Sequence, residues 1–65
     1  MEDLIKIIEW RDEIREIEYT IDKLTEAERN AVDEELYERA QLFLMEKAKL
    51  IRRRKYLETK IKNNK

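Results

Sequence analysis

The chain has 65 residues, a formal net charge of −1, 48% charged and 42% apolar side chains, and no Cys, His, Gly or Pro. A domain this small rarely holds together on its core alone and leans on disulfides, a metal or a second subunit. Without Cys or His the first two are removed, along with thiol nucleophiles, zinc sites and Ser-His triads, which leaves association with another copy.

The amino-terminal stretch Met1-Glu2-Asp3 is acidic, through Glu2 and Asp3, where a secretory leader is basic. The longest apolar run, Leu42 to Met45, falls far short of the roughly 18 residues a membrane span requires. A cytoplasmic protein without a membrane segment is expected. The lean toward Glu, Lys, Arg and Ile, with a single Gln (Gln41) and three Asn, resembles the usage of heat-stable proteins.

Along the first third, Ile7, Trp10, Ile14, Ile17, Ile21 and Leu24 recur at steps of 3 and 4 without a break, the heptad seam of an amphipathic helix predicted over about 2–24. The stretch 25–33 carries competing punctuation. Thr25 with Glu28 has the spacing of a capping box, Asn30 tolerates the left-handed conformation that ends helices, and Asp33 can cap a helix ahead of Glu34 and Glu35. A bend is predicted within 25–33. Beyond it, Leu36, Ala40, Phe43, Leu50, Leu57 and Ile61 share a second lattice, predicting a helix over about 34–62 and a short tail at 63–65. Lys47 and Arg54 occupy two points of that lattice, where their aliphatic stems can cover apolar neighbours.

The fold expected is all-α, an antiparallel helical hairpin dimerising into a four-helix bundle. Folding about residue 32 pairs positions whose numbers sum to 64 and sets Trp10 against Arg54. Folding seven residues earlier sets Trp10 against Lys47. Each register gives four apolar pairs, so the seam does not choose between them.

Charge is sorted along the chain. Residues 1–46 hold 15 acidic and 6 basic side chains, a balance of −9, and residues 47–65 hold 1 acidic and 9 basic, a balance of +8. Antiparallel folding lays one region along the other. Lys49, Arg53, Tyr56 and Lys60 fall at steps of 4, 3 and 4, a basic stripe with one aromatic that suits phosphate contact and base stacking. Weak, non-specific nucleic-acid binding is therefore the alternative function.

Eight of the twelve residues from Ala40 to Ile51 are apolar. One stripe accounts for Ala40, Phe43 and Leu50. Leu42, Leu44, Met45, Ala48 and Ile51 lie off it and mark a self-association or partner surface, with Leu42 and Met45 expected to matter to a homodimer. Carboxylate pairs at helical spacing, Glu13 with Glu16 and Glu35 with Glu38, are what an acidic helix yields by chance. Ser is absent, so Thr20, Thr25 and Thr59 are the only aliphatic hydroxyls. No catalytic, cofactor-binding or metal-binding residues are assigned. The function predicted is a non-catalytic helical assembly module, with a further protein partner left open.

Overall fold

The computed structural model describes residues 2–64, with side chains from residue 3 onward. Met1 and Lys65, which belong to the amino-terminal and tail expectations above, lie outside the described residues. The described residues form two helices: α1, Glu2–Asp33, and α2, Tyr37–Asn63. They pack side by side as an antiparallel hairpin measuring 51 × 14 × 11 Å between Cα atoms. No helix among the described residues is long and apolar enough to cross a membrane.

The reversal falls at Glu34, Glu35 and Leu36, later than the stretch 25–33 predicted for it, and residues 25–33 are helical. The terminator is a Schellman motif built without glycine. Leu36 N–H donates to the Ala31 carbonyl at 2.7 Å and Glu35 N–H to the Val32 carbonyl at 3.0 Å. These two bonds satisfy carbonyls that the helix end leaves open. Glu35 adopts φ 61°, the left-handed position usually held by glycine. Leu36 then stands at the start of α2 with no side-chain cap. Asn30 and Asp33 do not play the terminating and capping roles expected of them; both are residues of α1.

The expected capping box is dissolved in the same way. Thr25 Oγ1 donates to the Ile21 carbonyl at 2.9 Å, a bond compatible with continuing helix. Glu28 reaches across to Lys47 instead, Nζ to Oε1 at 2.6 Å, and Lys47 Nζ also donates to Thr25 Oγ1 at 3.3 Å. At the carboxyl end α2 runs to Asn63, and Asn64 closes it by donating from Nδ2 to the Lys60 carbonyl at 2.9 Å.

Moving the bend moves the register. The numbers in the interhelical pairs Thr25 with Lys47, Glu28 with Lys47, Glu18 with Arg54, Glu13 with Arg53 and Trp10 with Lys60 sum to 66–75 and centre on 71, one heptad beyond the later register expected. The α1 seam thus extends past Leu24 to Glu28 and Ala31 in the same steps of 4 and 3. Among the described residues Ile17, Ala31, Ala40 and Leu57 are the buried apolar ones, and of these Leu57 is fully enclosed. Two helices cannot shield more. The chain exposes 5606 Å², whereas a compact monomer of 8.1 kDa exposes about 4,500 Å².

Candidate functional site

Successive residues of a helix turn by about 100°, so neighbours of the buried line through Phe43, Leu50 and Leu57 divide between its two sides. Leu44, Ala48 and Ile51 fall on one side. Leu42 and Met45 fall on the other, so the residues expected to form one association surface belong to two faces of α2. Leu42, Leu44 and Met45 remain 61%, 52% and 59% exposed once the hairpin has formed, while Ala48 and Ile51 are partly buried.

The Leu42 face continues along the helix into Lys49, Arg53, Tyr56 and Lys60, and the structure brings the last three together with α1. Arg53 forks onto Glu13: Nε donates to Oε2 at 2.7 Å and a second guanidinium nitrogen donates to Oε1 at 3.3 Å. The hydrogen bond from Arg53 holds the Glu13 carboxyl below its ordinary range; slight desolvation opposes this and the guanidinium charge adds to it. The same hydrogen bond raises Arg53. The Arg53 guanidinium also lies 5.4 Å from the Tyr56 ring centre. Lys60 sits between two rings, 5.6 Å from Tyr56 and 5.9 Å from Trp10. Lys49 stands apart from this cluster and pairs locally with Glu46 at 3.5 Å.

Trp10 is mostly buried, as its seam position predicts, but its cation is Lys60 rather than Lys47 or Arg54. The later bend is the reason. It sends Lys47 to Glu28 and Thr25, and Arg54 to Glu18 at 4.0 Å and Glu58 at 3.8 Å. The role of Glu28 and Thr25 as partners of Lys47 was hidden behind their capping-box spacing. Continuing the heptad steps beyond Leu24 would have exposed it, because Glu28 lands on the seam. Of the carboxylate pairs at helical spacing, Glu13 is bound to Arg53 and Glu35 forms the left-handed turn.

The other face of α2 has a different character. Tyr37, Gln41, Leu44, Ala48, Ile51 and Lys55 follow steps of 4 and 3, a second heptad seam beside the buried one. None of the interhelical ion pairs among the described residues uses this line. The recess at the bend, lined by Glu35, Leu36, Tyr37, Glu38 and Arg39, is a notch of five consecutive residues. No protein-family model, curated protein or solved structure matches the chain.

Proposed function

We propose that this chain is a non-catalytic helical interaction module that self-associates, two hairpins joining into a four-helix bundle in the cytoplasm. The observation that carries this reading is the surface left over after the hairpin forms. The excess above a compact monomer is about 1,100 Å², more than the roughly 800 Å² per partner that a standard stable interface buries. Much of it is apolar, with Leu42, Leu44, Met45 and Tyr37 each more than half exposed. Fully burying one such leucine contributes about 1.5–3 kcal/mol, so a few of them per subunit offset the entropy of joining two chains.

In this reading nucleic-acid contact through Lys49, Arg53, Tyr56 and Lys60 is weak and non-specific. Arg53 is already committed to Glu13, and Lys60 to two aromatic rings. Light scattering behind size exclusion, run over a dilution series, is the test. A dimer mass at tens of micromolar is expected, and a monomer there would end the proposal.

A further inference from the structure

We infer that a second copy of the chain docks antiparallel on the α2 face formed by Tyr37, Leu44, Ala48 and Ile51, with the twofold axis passing beside Ala48. This rests on the self-association proposed above and names its surface and direction. A flat twofold contact between two hairpins can use only one side of each. The Leu42 side is crossed by the Glu13–Arg53 fork and gives way to Lys49 and Lys60 after two apolar residues. On the Leu44 side the bridge from Arg54 to Glu18 is a longer contact, at 4.0 Å, and Leu44 is 52% and Tyr37 61% exposed there.

That side is also complementary to itself. With Ala48 on the axis, Leu44 meets the mate's Ile51, Tyr37 meets its Glu58, Gln41 meets its Lys55, and Ala48 meets its own copy. The pairing sets large side chains at the flanks and the smallest one at the crossing, where two helices must approach most closely. Charge fixes the direction. The acidic bend comes opposite basic residues of the same face in the antiparallel arrangement: Glu34 meets the mate's Lys62, and Glu38 lies within a turn of its Lys55. A parallel arrangement would set acid on acid at one end and base on base at the other. Leu42 and Met45, expected from the sequence to matter to the dimer, are thereby assigned to the outer face.

The chain has no cysteine, so single cysteines report the seam directly. Ala48→Cys, Leu44→Cys, Ile51→Cys and Leu42→Cys are each oxidised under the same mild conditions, after circular dichroism has shown the helix content of the parent. Ala48→Cys should form a covalent dimer at least tenfold faster than Leu42→Cys. A mixture of Leu44→Cys with Ile51→Cys should cross-link faster than either alone. Self-linking of Leu44→Cys faster than the mixture overturns the antiparallel direction. A non-covalent dimer in which Leu42→Cys links and Ala48→Cys does not overturns the seam and leaves self-association standing. A wild-type monomer at tens of micromolar overturns both.

Discussion

Glu13 and Arg53 stand forty positions apart in sequence and meet across the hairpin through two hydrogen bonds, at 2.7 and 3.3 Å. The pair ties the acidic amino-terminal helix to the basic carboxyl-terminal one at mid-length. The Glu13 carboxyl is held below its ordinary value by this contact, so folding favours its ionised form. Its stabilisation is fully present above the unfolded value and is lost as the pH falls through the folded one. Arg53 stays charged throughout. Both side chains are substantially exposed, at 49% and 40%, so solvent screens the pair and the effect is small. Glu13→Gln should lower the thermal midpoint slightly at neutral pH and not at all near pH 2, and the difference should shrink in high salt. Paired melting curves at the two pH values check this.

Lys47 and Glu28 are a different kind of pair, 16% and 25% exposed and set on the seam. Lys47→Ala leaves a mostly buried carboxylate without its partner and should cost about 1–3 kcal/mol. Replacing both residues with leucine should recover most of that loss, because apolar side chains at seam positions bury well. A double-mutant cycle by urea denaturation measures the coupling.

Leu57 is the one fully enclosed side chain among the described residues. Leu57→Ala should cost about 2–5 kcal/mol, a large fraction of what a domain of this size possesses. Leu42→Ala, at a residue 61% exposed, should change stability by less than about 0.5 kcal/mol. Urea midpoints for the two variants decide whether the inner seam has been placed correctly.

Glu35 occupies a left-handed backbone position that favours glycine. Glu35→Gly should stabilise the hairpin by about 1 kcal/mol, since the penalty for a side chain there is about 1–2 kcal/mol and glycine's greater unfolded freedom returns part of it. Glu35→Ala keeps the penalty and should gain little. Thermal melts of the two variants make the comparison.

Binding of the chain to a labelled oligonucleotide should be independent of sequence and largely lost by about 200 mM salt, because few phosphates can be contacted at once. Fluorescence anisotropy over a salt series reports it. Tight binding that survives there would return the basic stripe of α2 to first place.

The helices and their buried faces were legible in the sequence because steps of 3 and 4 record which residues meet a neighbouring helix. Ile17 and Leu57 were both on the predicted seams, and both are buried. The position of the bend was not legible. Asn30 and Asp33 are the residue types that usually end and begin helices, and Glu35, which makes the turn, carries no local preference for it. What decided the matter was tertiary. Ending α1 at Asp33 aligns Ala31 with Ala40 where the helices come together, and puts Glu28 and Thr25 within reach of Lys47. The seam alone repeats every heptad and is indifferent to that shift. Likewise, the basic stripe on α2 was visible as a pattern, but its commitment to Glu13 and Trp10 depends on the register that the bend sets.

The three-residue reversal also sets the order in which the hairpin closes. Thr25 and Lys47 are separated by 22 positions and Glu13 and Arg53 by 40, and Trp10 and Lys60 lie farther still from the turn. Once the Leu36–Ala31 bond has formed, each successive contact adds only a short further loop to one already closed, so the entropy of chain closure falls almost wholly on the first step. Folding should thus zip from the bend toward the free ends, an expectation that folding and unfolding rates of variants along the hairpin would check. Changes at Glu35 and Leu36 therefore act on the folding rate, while changes at Trp10 and Lys60 act on the rate of opening.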